Sequence, residues 1–173
     1  MSLVLSKEGI FGTDENRKAW KDSGYRLPEF DIDNVAKNTY ENPEWLHFGA
    51  GNIFRAFQAN VVQQLLNQGK LDTGLVAVEG FDTEIIDKMY IPHDNMGILV
   101  TLKADGNVEK TVVGSIVESL RAERENKEDM TRLSEIFKKD SLKMVSFTIT
   151  EKGYSLVDGE GELLNTVKTD MQN

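Results

Sequence analysis

Cysteine is absent from this sequence, histidine occurs only twice, and no apolar run is long enough to span a bilayer. Without cysteine the chain has no disulfide bond, no thiolate metal ligand and no cysteine nucleophile. His47 and His93 lie far apart in the sequence, which argues against a metal site built from several histidines. The N-terminus lacks the basic and apolar stretches of a signal peptide, so we expect a cytoplasmic protein without a membrane partner.

Positive charge is also in deficit, with 20 lysines and arginines against 29 aspartates and glutamates and a net charge of −9. This balance argues against nucleic acid or an anionic membrane as a partner. Hydrophobic residues make up 39% and charged residues 28%, which is ordinary for a globular protein of 173 residues. We predict an N-terminal arm over residues 1–40 and one domain over residues 41–173.

The stretch 45–55 has the pattern of a buried strand, a glycine turn and the start of a helix. Gly49 and Gly51 allow a sharp turn and the close approach of an anionic ligand. Asn52 is predicted to cap the helix that follows. The free N–H groups and the positive end of the helix dipole would then point at the turn, an arrangement that binds a pyrophosphate. The pattern therefore predicts the phosphate turn of a dinucleotide-binding fold.

A helix is predicted after this turn, over Ile53 to Gln68, because apolar residues recur there at spacings of three and four. These residues are Phe54, Phe57, Val61, Val62, Leu65 and Leu66. We interpret this apolar face as core and the polar positions between, Gln63 among them, as facing solvent. Gly69 is a typical helix stop.

A second apolar run, Leu75 to Val78, ends at an acidic residue, Glu79. Strand, glycine turn, helix and strand make a βαβ unit, in which an acid after the second strand binds the adenosine ribose hydroxyls. Glu79 is the candidate, with Asp82 three residues further on. The alternatives are that each is an exposed acid in a turn, or that Asp82 caps a short helix.

The remainder of the chain predicts a hairpin, a helix and another strand. Residues 97–102 and 108–113 flank an Asp-Gly turn and are predicted to pair as a hairpin. A helix is predicted from Asn126 to Lys139, and a strand over 142–150 that could lie beside the first strand in a parallel sheet. Residues 155–173 are interpreted as a turn and a polar tail. The predicted fold class is α/β: a Rossmann-like nucleotide-binding domain with an inserted β-hairpin.

Two motifs together resemble the polyol-specific long-chain dehydrogenases, the mannitol dehydrogenase family. They are His47-Phe48-Gly49-Ala50-Gly51-Asn52-Ile53-Phe54-Arg55 and the more specific Val145-Ser146-Phe147-Thr148-Ile149-Thr150-Glu151-Lys152-Gly153-Tyr154. The similarity spans about residues 43–157. The branch that contains D-mannonate and altronate oxidoreductases is closer than mannitol dehydrogenase itself.

The resemblance implies a zinc-independent, NAD-dependent oxidoreductase acting on a linear polyol or keto-sugar acid. By matching position, it implies a cofactor turn formed by Gly49, Gly51, Asn52, Ile53, Phe54 and Arg55. Glu79 would meet the adenosine ribose. Thr150, Glu151 and Gly153 would lie near the nicotinamide, with Glu151 the catalytic candidate because the family associates this position with proton movement.

Two departures from the family pattern are visible in the sequence. Phe54 stands where the general dinucleotide fingerprint has its third glycine, as is usual in this family. The family's catalytic lysine belongs to a Lys-x4-Asn-x2-His pattern, which does not occur here. We therefore expect this chain to be the N-terminal, cofactor-binding portion of a longer enzyme, inactive alone, with its C-terminal domain missing in cis. The alternatives are a non-catalytic nucleotide-binding module or an interaction domain.

Overall fold

A computed structural model of the protein describes residues 2–149 and 151–172. The strands are β1 (Tyr25–Arg26), β2 (Trp45–Phe48), β3 (Leu75–Glu79), β4 (Gly97–Leu102), β5 (Val108–Val113), β6 (Ile116–Arg121) and β7 (Met144–Phe147). The α-helices are α1 (Lys7–Phe11), α2 (Asp14–Asp22), α3 (Ile32–Glu41), α4 (Asn52–Ala56), α5 (Gln58–Asn67), α6 (Lys127–Phe137) and α7 (Asn165–Asp170). A π-helical turn covers Ile86–Tyr90, and 3-10 turns cover Ile91–His93 and Glu151–Tyr154.

A four-stranded parallel sheet organises the fold, with strand order β6-β3-β2-β7. Counted along the chain, β2 comes first, β3 lies on one side of it, and the late strand β7 lies on the other side. The strand order therefore reverses between β2 and β7, as it does in a Rossmann fold. Ligands of such sheets bind beyond the carboxyl ends of the strands at this reversal.

The hairpin prediction is confirmed: β4 and β5 pair antiparallel, with Gly97 opposite Val113 and Leu102 opposite Val108. Gly106 in the connecting turn has a φ of 84°, which favours glycine. The short strand β1 pairs parallel to β5, so the hairpin forms a three-stranded sheet with the N-terminal region.

Two hydrophobic clusters cover the two faces of the parallel sheet, as β strands buried on both sides require. On one face, Phe54, Val62 and Tyr90 pack against Leu75 and Ala77. On the other face, α6 buries Leu133 and Ile136 against Leu46, Val76 and Val78. The predicted start of α6 is confirmed, since the Asn126 side chain accepts a hydrogen bond from the amide of Asp129.

The N-terminal region packs on the hairpin and has a small core of its own. Ile10, Trp20 and Leu27 contact Met96 and Val112 there. His93 lies at this junction, with Nδ1 3.0 Å from the carbonyl oxygen of Leu5. In the described part of the chain, no helix has the length and apolar character that a membrane span needs.

Several details of the fold differ from the sequence predictions. Phe57 and Val61, interpreted as core, are exposed at 66% and 40%. The helix predicted over residues 53–68 is interrupted at Phe57, where ψ is −72°, and so forms α4 and α5. Gln63 is buried rather than solvent-facing, because its amide donates to Val112 O and accepts from Gly114 N. The strand β6 was not predicted, and α7 occupies part of the segment interpreted as a polar tail.

Candidate functional site

The glycine turn lies at the carboxyl end of β2, where the sheet order reverses. Gly49 has a φ of 108°, which L side chains rarely adopt, and its amide donates to Val78 O at 2.8 Å. A Cβ on Gly49 would lie 2.6 Å from the carbonyl oxygen of Thr148, and closer still to the Thr148 hydroxyl. Only glycine therefore allows β7 to approach β2 this closely.

Gly51 leaves open space at the start of α4. An added Cβ would meet no heavy atom within 4 Å. Gly51 is itself the N-cap of α4, and no side chain of a described residue caps this helix. Among the described residues, no acceptor outside the helix bonds the N–H groups of its first turn, which are therefore left for solvent or a ligand. The predicted capping role of Asn52 is wrong: Asn52 is the first helical residue, and its side chain accepts from Arg55.

The other predicted turn residues point in different directions. Ile53 is 71% exposed, whereas the Phe54 ring is fully buried and stacks on the imidazole of His47 at 4.0 Å. Phe54 therefore supports the turn from the core, and its ring does not face the opening. The Arg55 guanidinium lies 5.8 Å from the centre of the Tyr90 ring.

The carboxylate of Glu79 lies against the turn and accepts backbone hydrogen bonds on both oxygens. Oε2 accepts from the amide of Ala50 at 2.8 Å, and Oε1 accepts from Gly80 and Phe81 at 3.0 and 2.9 Å. Burial raises the pKa of this carboxyl, but the backbone N–H groups lower it more, so the pKa lies below its ordinary value. Glu79 is therefore a charged acceptor directly beside the glycine turn.

Asp82 and Phe81 follow Glu79 on the surface. The amide of Asp82 lies 3.4 Å from Glu79 Oε1, and its side chain is exposed. The Phe81 side chain is 99% exposed, although its amide donates to the same carboxylate oxygen. A large apolar ring is thus in solvent within two residues of a charged acceptor.

Tyr90 is a site residue that the sequence analysis missed. Its hydroxyl donates to the carbonyl oxygen of Ala50 at 2.8 Å, which holds the turn in place through Ala50. Burial raises the pKa of the Tyr90 phenol well above its ordinary value, so the hydroxyl keeps its proton. Sequence spacing gave no signal, because Tyr90 lies 40 residues from Ala50.

The carboxyl end of β7 reaches the same turn, as the sequence analysis expected for parallel neighbours. Phe48 pairs with Phe147, and the amide of Thr148 donates to Phe48 O at 2.9 Å. Thr150 lies outside the described residues, and the side chain of Glu151 is likewise not described. Gly153 lies in a 3-10 turn, where an added Cβ would collide with the Ile149 side chain.

His47 lies beneath the turn with no exposed surface. Its ring nitrogens Nδ1 and Nε2 lie 2.7 and 3.1 Å from the hydroxyls of Ser146, on β7, and of Thr148, which directly follows β7. Burial lowers the pKa of the imidazole to about 4, so the ring is neutral at physiological pH. In the sequence, this hydrogen-bond network is signalled only by the position of His47, a polar residue within the apolar run of β2.

A large cavity lies away from this corner. It is a cleft of about 1150 Å³ between the N-terminal region and the hairpin, lined by polar side chains including Arg17, Arg26 and Glu109. A smaller cavity of about 420 Å³ borders α4 at Asn52 and Arg55. The free amides and the charged acceptor are at the glycine turn. The turn is therefore a better candidate for the ligand-binding site than either cavity.

A metal centre has no support in the described residues, which contain no group of three or more histidine, aspartate and glutamate side chains placed to hold an ion. The site instead offers backbone N–H groups, one carboxylate and an open glycine position. These are the elements of an anion-binding corner next to a hydroxyl-binding acid.

Comparison with curated proteins gives close relatives. The chain is 50% identical over 171 residues to a D-mannonate oxidoreductase from Thermotoga maritima, which covers 99% of this chain and 31% of that protein. It is 30% identical over 154 residues to a polyol:NADP oxidoreductase from Gluconobacter oxydans, covering 86% of this chain and 30% of that protein. No family-level sequence profile matches the chain. The chain thus spans about a third of the length of these relatives.

Comparison with solved structures gives the same group of proteins. A substrate-free D-sorbitol dehydrogenase aligns with a TM-score of 0.67 and 27% identity, over 87% of this chain and 30% of that one. A mannitol 2-dehydrogenase from Pseudomonas fluorescens, solved with NAD and D-mannitol, aligns with a TM-score of 0.67 and 25% identity over the same shares. The Rossmann-like fold and the resemblance to the polyol-specific long-chain dehydrogenases are therefore confirmed.

Proposed function

We propose, from the 50% identity of nearly the whole chain to a D-mannonate oxidoreductase, that this chain is the cofactor-binding part of an NAD-dependent oxidoreductase. The proposed reaction moves a hydride between NAD(H) and a carbinol carbon of a linear polyol or keto-sugar acid. The observation that carries the proposal is the open glycine corner at the β2–β7 reversal, with uncapped amides beside a charged carboxylate.

The pyrophosphate is proposed to bind at the start of α4. Gly51 leaves room for the phosphate oxygens, and the amides of the first helical turn supply hydrogen-bond donors. The net charge of −9 gives no general attraction for an anion, so these local dipoles must supply the binding energy.

The adenosine end is proposed to bind at Glu79. An ionised carboxylate is acceptor-only, so it suits the donating hydroxyls of the ribose and repels a 2′-phosphate. The exposed Phe81 ring next to it offers an apolar face on which an adenine can stack. Asp82 is retained as a second acid near the same hydroxyls. This arrangement favours NAD over NADP.

The nicotinamide end is proposed to lie over the carboxyl end of β7, where the matching family positions are Thr150, Glu151 and Gly153. Bound NAD supplies the hydride acceptor. Among these residues of the chain, Glu151 is proposed to carry a proton between the site and solvent.

Substrate turnover by this chain alone is not expected. The Lys-x4-Asn-x2-His pattern that carries the family's general base is absent from the sequence. We therefore propose that substrate binding and turnover need the C-terminal domain of the whole enzyme, in cis with this chain. An assay of the chain with NADH and fructuronate should show nucleotide binding without NADH oxidation.

The test is a fluorescence titration of the chain with NADH, comparing wild type with Gly51→Val. The valine fills the opening at the helix start and should weaken binding at least tenfold. Gly159→Val is the matched control, because Gly159 also meets no atom within 4 Å and lies in a turn far along the sequence. Saturable binding that Gly51→Val leaves unchanged would refute the proposed site.

A further inference from the structure

The buried imidazole of His47 takes part in a hydrogen-bond chain whose direction is fixed by its two ends. Trp45 Nε1 lies 2.7 Å from Ser146 Oγ, and an indole N–H can only donate. At the other end, Thr148 Oγ1 lies 3.2 Å from Gly49 O, and a carbonyl can only accept. The ring of His47 connects the two hydroxyls.

The donor-to-acceptor direction of this hydrogen-bond chain selects one imidazole tautomer. Since the Thr148 hydroxyl donates to Gly49 O, it must accept from His47, so Nε2 carries the proton. Nδ1 is then the acceptor, and the Ser146 hydroxyl donates to it while accepting from Trp45. Every polar hydrogen in the chain has an acceptor in this arrangement, as buried groups require.

The hydrogen-bond chain continues through the Gly49–Ala50 peptide group to Glu79. Gly49 O and the N–H of Ala50 belong to one planar peptide group, so fixing one fixes the other. Thr148 holds the oxygen, and the carboxylate of Glu79 accepts from the N–H at 2.8 Å. The orientation of this peptide therefore depends on the segment directly after β7 through Thr148 and on β3 through Glu79.

We infer that His47 is a positioning residue for the nucleotide site: through Thr148 it sets the Gly49–Ala50 peptide plane and, through that plane, the carboxylate of Glu79. His47 never touches the ligand, because it is fully buried and stacked on Phe54. The effect on nucleotide affinity rests on the proposed function, whereas the tautomer does not.

The first test is nucleotide-free. Long-range ¹H–¹⁵N spectra of the chain at pH 7 should show His47 neutral with the proton on Nε2. The sequence has only two histidines, so a His93→Asn variant leaves the His47 signals alone for assignment. A proton on Nδ1, or a charged ring, would overturn the inference whether or not the chain binds NADH.

The second test measures affinity with NADH as the probe. Thr148→Val keeps the shape but removes the hydroxyl, and it should weaken binding about five- to tenfold, as the loss of one part-buried hydrogen bond predicts. Thr148→Ser restores the hydroxyl and should bind within about twofold of wild type by the same reasoning. His47→Phe should resemble Thr148→Val.

The matched control is Thr131→Val, which removes an exposed threonine hydroxyl on α6 far from the turn. Circular dichroism of each variant checks that it is folded. If Thr148→Val does not fold, the ¹H–¹⁵N spectrum of Thr148→Ser is measured instead and should show the His47 proton on Nε2. Equal NADH affinity of wild type, Thr148→Val and His47→Phe would overturn the inference. No binding by wild type would instead refute the proposed function.

Discussion

Replacing Gly49 with alanine should strongly destabilise the fold, because two separate costs coincide at this residue. A φ of 108° is strained for any residue with a Cβ, which costs about 1–3 kcal/mol. The new methyl would also lie 2.6 Å from Thr148 O, and such overpacking costs roughly 1–3 kcal/mol more. The sum is a loss of about 2–6 kcal/mol in the free energy of unfolding.

The assay is urea unfolding followed by tryptophan fluorescence, since Trp20 and Trp45 lie in different parts of the fold. Gly51→Ala is the matched control: its φ is −75° and its Cβ would meet no atom within 4 Å, so stability should stay within about 0.5 kcal/mol of wild type. If Gly49→Ala were as stable as Gly51→Ala, the close approach of β7 to the turn would be wrong.

Three further predictions concern the groups around the turn. Because the pKa of His47 is lowered to about 4, the unfolded chain binds a proton between pH 6.5 and 4 that the folded chain does not. The free energy of unfolding, measured in urea titrations, should therefore fall by up to about 3 kcal/mol from pH 6.5 to pH 4. His47→Gln should reduce this dependence on pH. Tyr90→Phe leaves the carbonyl of Ala50 without its donor and should cost about 1–3 kcal/mol of unfolding free energy; an unchanged urea midpoint would contradict this. Glu79→Gln removes the charge that repels a 2′-phosphate, so the ratio of the NADPH dissociation constant to the NADH dissociation constant should fall towards one. An unchanged ratio would mean that another acid sets the specificity.

The parts of the fold predicted from sequence are those whose signals are local. The apolar run before Gly49, the periodic helix after it and the Asp-Gly hairpin each follow from spacing within a few residues. The pairing of β7 with β2 was open in the sequence, which allowed a parallel neighbour there without fixing one, and the structure shows it.

The errors of the sequence analysis have tertiary causes. Gln63 lies on a polar helical position, but its amide satisfies Val112 and Gly114 of the neighbouring hairpin, which no spacing rule reveals. Asn52 has the residue type of an N-cap, yet the turn places Gly51 there and leaves the helix end open. An uncapped helix end is a local defect that ligand binding can repair.

Support for the turn came from residues distant in sequence. Tyr90 and Thr148 contact it from elements 40 and 99 residues away, so only the assembled sheet brings them together. His47 was visible as a polar residue in an apolar strand, but its partners Ser146 and Thr148 were not.

The most direct measurement is a ¹H–¹⁵N chemical-shift map of the chain titrated with NADH. If the nucleotide binds at the glycine turn, the largest amide shifts occur at Gly51, Asn52 and Ile53, with a second group at Glu79 to Asp82. Shifts confined to the cleft between the N-terminal region and the hairpin, with the amides of the glycine turn unmoved, would contradict binding at the turn.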